Sequence, residues 1–195
     1  EESLLTGPLE QTNLPYAVAK IAGKVMCDAY RQQYGFDAFT VMPSNVYGIN
    51  DNFHPEHSHL VAGMMRRFHE AKKDGLNQVV VWGTGTPLRE LIFADDLADA
   101  CVYLMINHHD GGMINAGSGV EVSVRDLARE IQAVVGFKGE LTFDTSKPDG
   151  THRKLMDNSK ISAMGWRPQT DLGAGLKAMY TWYLENVAAN EVERP

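Results

Sequence analysis

A tyrosine and a lysine four residues apart, Tyr16 and Lys20, are the first pair in this sequence whose types and spacing could do chemistry. Positions four apart share one face of a helix, so the phenol and the ammonium can reach into the same site. A phenol with its ordinary pKa of about 10 is a poor acid–base catalyst at neutral pH. A cation within about 4–6 Å stabilises the phenolate and lowers that pKa. The pair predicts a lysine-supported tyrosine catalyst. The alternative is a surface lysine beside a half-buried tyrosine.

A second group of candidate residues is the histidine cluster His54, His57 and His59. An imidazole has a pKa near 6.5, so it can give and take protons at neutral pH. We predict no metal here, because a spacing of three and two on a loop does not match the usual zinc ligand sets. Judged from the residues alone, the cluster is more simply a group of ordinary loop histidines, three of the seven in the chain.

These residues need elements that position them. A helical pattern runs from Pro15 to Tyr34 and stops at Gly35, and proline suits the first turn of a helix. Residues 38–43 form a short apolar run that predicts a buried strand, and residues 44–57 read as a loop. A second helix is predicted over residues 58–73 with Ser58 as its cap.

Strands and helices continue to alternate along the remainder of the chain. The sequence predicts strands at 79–82, 89–93, 113–117 and 141–143, and helices from Asp95 or Asp96 to 107, from Ser123 to 135 and from Asp171 to about 187. This alternation is typical of the α/β class.

Composition excludes several classes of protein. The 195 residues carry 18 basic and 25 acidic side chains, a net charge of −7, which argues against nucleic-acid or acidic-membrane binding. The two cysteines, Cys27 and Cys101, lie in apolar helical patterns and predict buried thiols in a reducing compartment. The most apolar stretch, 97–106, contains Asp99 and is too short for a bilayer. We therefore expect a cytoplasmic protein.

The order of these motifs carries a family resemblance. A Pro-Tyr-x-x-x-Lys helix, then a buried strand, then MPSNVYG at 42–48 resembles the extended short-chain dehydrogenase/reductase superfamily. The resemblance implies a Rossmann-type NAD(P)-binding domain. Its implied catalytic acid or base is Tyr16, and Lys20 would bind the nicotinamide ribose and tune the phenol.

Four further segments are similar to the GDP-L-fucose synthases: DNFHPEHSH at 51–59, RRFHEA at 66–71, VVWGTGTPLRE at 80–90 and KPDGTHRKL at 147–155. The family converts GDP-4-keto-6-deoxy-D-mannose to GDP-L-fucose by epimerising C3 and C5 and reducing the C4 ketone with NADPH. The resemblance implies the same substrate, the cofactor NADPH/NADP and a homodimer that forms through the helix bearing Tyr16.

The resemblance also implies residue roles. His59 would be an acid in the epimerisation and lie near the cofactor, whose nicotinamide would be lined by Pro43, Ser44, Asn45 and Val46. The substrate would be bound by Arg67, Trp82, Arg89, Asp149 and Lys154. Arginine forks and lysine ammonium groups suit a diphosphate, and an indole face suits a base or a sugar. Adjacent helical positions cannot both face one site, so we expect Arg66 to be solvated.

We expect the chain to be the C-terminal part of such an enzyme. Residues 1–47 would be a remnant of the NADP-binding domain, and 48–195 mainly a substrate-binding lobe, with some elements such as helix 94–107 returning to the sheet. The Gly-rich pyrophosphate motif, a catalytic Ser and the Cys base of the epimerisation would lie upstream, so these 195 residues alone would be inactive and bind NADPH poorly. The alternatives are another nucleotide-sugar epimerase or dehydratase, and a non-catalytic ligand-binding or dimerisation module.

Overall fold

Helices and strands alternate in the computed structural model, which describes residue 1 and residues 4–189. The helices are α1 (Leu14–Tyr34), α2 (Leu60–Lys73), α3 (Ala94–Asn107), α4 (Val124–Val135), α5 (Ser159–Ala163) and α6 (Leu172–Tyr183). The strands are β1 (Thr40–Pro43), β2 (Asn45–Tyr47), β3 (Gln78–Trp82), β4 (Leu88–Phe93), β5 (Met113–Ala116), β6 (Glu121–Ser123), β7 (Glu140–Asp144) and β8 (Arg153–Lys154). The α/β class predicted from the sequence is confirmed.

The strands form three groups. Strand β1 pairs in parallel with β5, and β3 pairs in parallel with β7. Strand β4 is central to the third group, where its second half pairs in parallel with β2 and its first half pairs with β6 (antiparallel) and β8 (parallel). Strand β4 therefore connects the segment after β1 to the loops that carry most of the charged candidates.

Helix α1 begins and ends where its sequence requires. Pro15 lies in the first turn, where no backbone donor is needed, and Gly35 ends the helix in the left-handed conformation with φ of 64°. The backbone N–H of Gly35 donates to the carbonyl of Arg31. This helix has no buried residue along its described length, although Val18, Val25, Met26 and Tyr30 are apolar and exposed. Its apolar surface is thus open to a partner.

Two hydrophobic cores hold the described residues together. The larger core lies among α2, α4, α6 and the β3–β7 pair, and includes the fully buried Phe68, Ile131 and Met179. The smaller core packs α3 and α5 against the β1–β5 pair through Leu104, Ile114 and other buried residues. Each large apolar side chain contributes about 1.5–3 kcal/mol when it is fully buried.

Several sequence expectations need correction. Residues 45–47 are not loop but the short strand β2, because they pair with β4, which is distant in the sequence. Helix α2 begins at Leu60, so its N-cap is His59 and not Ser58. Four short elements of the described residues were not predicted: β6, β8, α5 and the 3-10 turn Gln11–Asn13.

Other terminal signals are confirmed. The hydroxyl of Ser123 accepts a hydrogen bond from the backbone N–H of Asp126 at the start of α4, at 3.0 Å. Asp171 accepts one from the backbone N–H of Ala174 at the start of α6, at 2.9 Å. Helix α6 ends at Tyr183 and continues as a π-helical turn, Leu184–Ala188.

The two cysteines are free thiols that are only partly buried, which corrects the expectation of fully buried side chains. Cys27 lies on α1, which buries none of its residues, and Cys101 lies on α3 beside the smaller core. Partial burial disfavours the thiolate and raises the pKa of Cys101. Across residue 1 and residues 4–189, every helix falls short of the length and apolarity that a membrane crossing requires.

Candidate active site

The phenol and the ammonium of the first predicted pair are neighbours on α1. Tyr16 lies in the first turn, and the Nζ atom of Lys20 is 5.4 Å from the centroid of its ring. Tyr16 is 60% exposed, so its hydroxyl is accessible to a bound molecule. The helical spacing inferred from the sequence thus places both groups on one accessible surface.

The four residues after this helix that were predicted to line a cofactor lie where β1 ends and β2 begins. The backbone N–H of Ser44 donates to the carbonyl of Ala116 at 3.0 Å, and the side-chain amide of Asn45 donates to the carbonyl of Glu90 at 2.9 Å. Pro43 and Val46 are exposed. The hydroxyl of Ser44 is enclosed and has no hydrogen-bond partner within the described residues. Backbone pairing therefore immobilises this segment while leaving polar and apolar groups for a ligand.

His59 lies at the N-terminus of α2 with an extended backbone, φ −75° and ψ 169°. Its side chain is exposed and makes no capping hydrogen bond, so the imidazole is open to the solvent side of the loop. The carboxyl group of Asp51 lies close enough for the charge of His59 to influence it. The other two histidines stack on each other with ring centroids 4.7 Å apart.

Trp82 presents an indole at the end of β3. It is 68% exposed, so it is not a core aromatic. The Nζ atom of Lys147 lies 5.7 Å from the centroid of this ring. Side chains alternate along a strand, so Val80 and Trp82 share the exposed face of β3. An exposed flat ring beside a cation is suited to stacking against a nucleobase or a sugar.

Asp149 braces the turn that follows Trp82. Its carboxylate accepts hydrogen bonds from the backbone N–H of Thr84 at 2.9 Å and from the hydroxyl of Thr84 at 2.7 Å. These bonds, the hydroxyl bond first, hold the pKa of Asp149 below its ordinary value. Gly83 has φ of 83°, and a Cβ atom there would overlap the carboxylate. The turn and the 147–150 loop are therefore built against each other.

Arg89 and Lys154 are adjacent across the β4–β8 pair, where they are register partners. The guanidinium of Arg89 donates to the carbonyl oxygens of Leu88 and Thr151, both at 2.7 Å. Partial burial lowers the pKa of Arg89, and the charge of Asp149 opposes that effect. These contacts fix the guanidinium of Arg89, and the exposed ammonium of Lys154 lies on the neighbouring strand. Two adjacent cations of this kind suit an anionic ligand.

Arg66 and Arg67 point in different directions, as adjacent helical positions must. Arg66 is not solvated as expected: its side chain is 14% exposed, pairs with Glu70 at 2.6 Å and donates to the carbonyl of Phe53 at 2.9 Å. Arg67 instead reaches toward β3, with Nη1 at 3.4 Å from the carbonyl oxygen of Val80. Desolvation lowers the pKa of Arg67. The guanidinium of Arg67, which belongs to α2, thus lies against the strand that carries Trp82.

The segment before α1 approaches the charged strand β8. Hydrogen bonds from Thr12 hold the pKa of Glu10 below its ordinary value, and the ammonium of Lys154 adds to this effect. Glu10 precedes Tyr16 by only six residues. Glu10 therefore lies close enough to β8 for the charge of Lys154 to act on it.

Sequence reasoning missed Glu90, a fully buried carboxylate on β4 with 0% exposure. It accepts hydrogen bonds from the backbone N–H of Gly119 at 2.7 Å, the backbone N–H of Met156 at 3.0 Å and the side-chain amide of Asn158 at 2.7 Å. Through these bonds Glu90 holds the loop at Gly119 and the segment 156–158 next to the strand that carries Arg89. Nothing in the local sequence distinguishes Glu90 from a surface glutamate, because its donors are 29 to 68 residues away.

Lys147 and Thr84 were also missed, although both lie in segments that the resemblance had selected. The signal that could have found Lys147 is its position two residues before Asp149 in the same loop. Within the described ranges, no three His, Cys, Asp or Glu side chains are placed to hold a metal ion.

Comparison with known proteins places these features in a family. The family model described as "NAD dependent epimerase/dehydratase family" matches residues 1–117. "Putative GDP-L-fucose synthase 2" from Arabidopsis thaliana is 59% identical over 187 residues, which cover 96% of this chain and 57% of that protein. "GDP-L-fucose synthase" from Escherichia coli K12 is 48% identical, with 95% of this chain and 61% of that protein covered. The chain thus spans about three-fifths of the length of these relatives.

Similarity extends to solved structures. A crystal structure of a GDP-L-fucose synthetase from Naegleria fowleri bound to NADP superposes with a TM-score of 0.90 at 31% identity, covering 96% of this chain and 60% of that one. The family model covers more than half of the residues, including the Tyr16–Lys20 helix and the end of β1. This chain belongs to the NAD dependent epimerase/dehydratase family.

Proposed function

We propose that the complete protein carrying this chain is a GDP-L-fucose synthase. It epimerises C3 and C5 of GDP-4-keto-6-deoxy-D-mannose and reduces the C4 ketone with NADPH. The observation that carries the proposal is the accessible Tyr16–Lys20 pair together with a braced cationic and aromatic cradle built from Arg67, Trp82, Arg89 and the 147–154 segment. Relatives at 48% to 59% identity bear the name of this activity.

Reduction at C4 requires a proton for the ketone oxygen. NADPH, when bound, supplies the hydride to C4. Tyr16 donates its phenolic proton to the oxygen at C4, and the ammonium of Lys20 stabilises the phenolate that remains. The 5.4 Å separation between Nζ and the ring supports this role for Lys20. Lys20 also binds the nicotinamide ribose in this proposal.

The residues at the end of β1 fit a nicotinamide group. The enclosed hydroxyl of Ser44 lacks a partner within the described residues, and Val46 offers an exposed apolar surface next to it. Pro43, Ser44, Asn45 and Val46 would therefore line the ring, with Asn45 held rigid by its bond to the Glu90 carbonyl. An orphaned hydroxyl in a buried position is costly unless a ligand satisfies it.

The diphosphate is assigned to Arg67, Arg89 and Lys154, and the base or sugar to the face of Trp82. Arg89 is already oriented by its bonds to two carbonyl oxygens, so little side-chain entropy is lost when an anion binds. Asp149 supports this surface by bracing Thr84, and we also assign it a hydrogen bond from the substrate. The cradle suits a nucleoside diphosphate because it combines cations with an open aromatic face.

His59 acts as the acid in epimerisation, donating a proton to the carbon opposite the base. Its open side chain at the start of α2 supports this role. The cofactor also lies within its reach in the proposal.

The test is a direct assay of the complete protein. GDP-4-keto-6-deoxy-D-mannose and NADPH should give GDP-L-fucose, identified by NMR, with NADPH oxidation followed by absorbance. Tyr16→Phe removes the proton donor, and we expect the rate to fall by about 10²- to 10⁴-fold. Tyr34→Phe, at the far end of the same exposed helix, is the matched control and should leave the rate unchanged.

Substrate competition tests the nucleotide. Keto-sugars linked to UDP or dTDP should be turned over much less efficiently than the GDP-linked substrate. More efficient turnover of either competitor would refute the proposal and favour another nucleotide-sugar epimerase or dehydratase of the family.

We further propose a cytoplasmic homodimer that forms through α1, supported by the apolar and exposed Val18, Val25 and Met26. The division into a cofactor domain remnant at 1–47 and a mainly substrate-binding part at 48–195 also remains a proposal. It is supported by β5, α3 and α5, which pack with β1 in the smaller core and so return to the cofactor side.

A further inference from the structure

The carboxylate of Asp51 is held in an unusual environment after β2. Its Oδ1 atom accepts a hydrogen bond from the backbone N–H of Asn52 at 2.7 Å. Its Oδ2 atom is enclosed and has no hydrogen-bond partner within the described residues. An enclosed carboxylate oxygen without a donor is destabilising, and such groups are concentrated at functional sites.

The backbone next to Asp51 is also constrained. Asn50 has φ of 65°, in the left-handed region that few residues other than glycine adopt. Asp51 follows this turn directly and is partly buried. Desolvation raises the pKa of Asp51, and the nearby charge of His59 opposes that effect. His59, the imidazole assigned to epimerisation, is therefore near enough for its charge to act on this carboxyl group.

Hydrogen bonds within residues 52–57 hold the loop between Asp51 and His59 in a fixed conformation. The side-chain amide of Asn52 donates to the carbonyl of His57 at 3.2 Å, and its Oδ1 atom accepts from the backbone N–H of His54 at 2.9 Å. His54 in turn accepts a hydrogen bond on Nδ1 from the backbone of Glu56 at 3.1 Å. These bonds, together with the stacked rings of His54 and His57, occupy two of the three histidines. His59 is left with its side chain open.

We propose that Asp51 is a positioning residue for His59. In this proposal the imidazole turns so that one N–H donates to Oδ2, which has no partner among the described residues, and the other ring nitrogen faces the sugar. This inference rests on the proposed function, because it assigns a purpose to the His59 acid. The function itself was assigned without Asp51.

The proposed arrangement determines where the proton goes. The carboxylate stabilises the imidazolium form of His59 and selects the tautomer that remains after transfer. During epimerisation the N–H bond facing the sugar breaks, and a C–H bond forms at the deprotonated carbon. Neutral imidazole remains, still donating its other N–H to Asp51. Asp51 stays ionised throughout and exchanges no proton.

The experiment measures proton exchange on the complete protein in D₂O without NADPH. GDP-4-keto-6-deoxy-D-mannose is the probe, and deuterium incorporation at C3 and C5 is followed by NMR. We expect Asp51→Asn to slow incorporation at the carbon that His59 protonates by about tenfold or more, since general acid catalysis contributes about 10²- to 10⁴-fold. The dissociation constant for GDP should not change, because Asp51 is outside the cradle.

Three further variants separate positioning from structure. Asp51→Glu keeps a carboxylate and should recover part of the lost rate. In a His59→Asn background, Asp51→Asn should cause no further loss, since its effect passes through the imidazole. Asp74→Asn, an exposed aspartate at the opposite end of α2, should exchange at the wild-type rate.

The outcomes distinguish the two proposals. A wild-type protein that incorporates no deuterium contradicts the proposed function. Wild-type incorporation that is unchanged in Asp51→Asn overturns the positioning role alone. An equal loss from Asp51→Asn with and without His59, or unfolding of both the Asn and the Glu variants, would make Asp51 a structural residue and would also overturn it.

Discussion

At the scale of single residues, Trp82 shows how an exposed side chain can be held ready for a ligand. Its ring is open at the end of β3, while the turn behind it is braced by the carboxylate of Asp149 on Thr84. A braced aromatic loses little conformational freedom when a base stacks on it. In the proposed complex the ring stacks on the base or sugar, while the carboxylate holds the turn that follows the ring.

Removing the ring should therefore weaken nucleotide binding. We expect Trp82→Ala to raise the dissociation constant for GDP by roughly 5- to 150-fold, which corresponds to the ~1–3 kcal/mol typical of base–aromatic stacking. Trp82→Phe retains an aromatic face and is the matched control, with a much smaller loss. Titration calorimetry on the complete protein measures both. Equal losses for the two variants would show that the indole does not stack on the ligand.

The braced turn should also respond to pH. Hydrogen bonds hold the pKa of folded Asp149 below its ordinary value of about 3.9, so the ionised form favours the folded state. That contribution is complete above the ordinary pKa and is lost as the pH falls through the lower folded pKa. We expect the Tm advantage of wild type over Asp149→Asn to be present at pH 7 and to shrink toward pH 3.

Thr84→Val provides the control for this effect. It removes the hydroxyl donor, so Asp149→Asn should lower the Tm less in the Thr84→Val background than in wild type. A Tm difference that is the same at pH 7 and pH 3 would contradict the role of the ionised carboxylate.

At the scale of elements, two helix N-termini show which of the predicted capping serines forms a capping hydrogen bond. Ser123 and Ser58 both precede helical patterns, yet only Ser123 is an N-cap, with its hydroxyl 3.0 Å from the backbone nitrogen of Asp126. Ser58 instead lies against Gly63, one turn into α2. The difference arises because the chain between β2 and α2 is bonded to itself through Asn52, which delays the start of the helix to Leu60.

Paired substitutions test this assignment. Ser123→Ala should lower the free energy of unfolding by about 1 kcal/mol, the typical value for a lost N-cap. Ser58→Ala is the matched control and should have a much smaller effect. Chemical denaturation of the complete protein measures both changes, and equal values would mean that the cap at α4 contributes nothing specific.

At the scale of the whole molecule, the distribution of apolar surface separates α1 from the other helices. Helices α2, α4 and α6 each bury several side chains in the larger core, whereas α1 buries none along its described length. The Tyr16–Lys20 pair also lies on this helix, so whatever covers α1 influences the positions of both side chains. A second copy of the chain is the partner proposed above.

A charged substitution tests the interface. We expect Val25→Asp to convert the complete protein from dimer to monomer, because a carboxylate cannot be buried unpaired in an apolar contact. Val102→Asp on α3 is the matched control, since the two valines are 52% and 55% exposed, and it should remain dimeric. Light scattering gives the mass of each variant. A wild-type monomer, or a Val25→Asp dimer, would contradict the proposal.

The sequence alone determined features that depend on neighbours within a few residues. Pro15 and Gly35 bound α1, the spacing of four puts Tyr16 and Lys20 side by side, and Ser123 caps α4. Alternating strands and helices likewise predicted the α/β class. Each of these features depends on backbone geometry and side-chain periodicity, which are set by residues close together in the sequence.

Only the tertiary structure decided which distant groups meet. It paired β2 with β4 and β8 with β4, buried the carboxylate of Glu90 among donors from two loops, and engaged Arg66 with Phe53. The roles of the predicted site residues remain predictions, but their grouping follows from these contacts. Pairings between strands far apart in sequence depend on how whole cores pack, and the identities of neighbouring residues do not encode that.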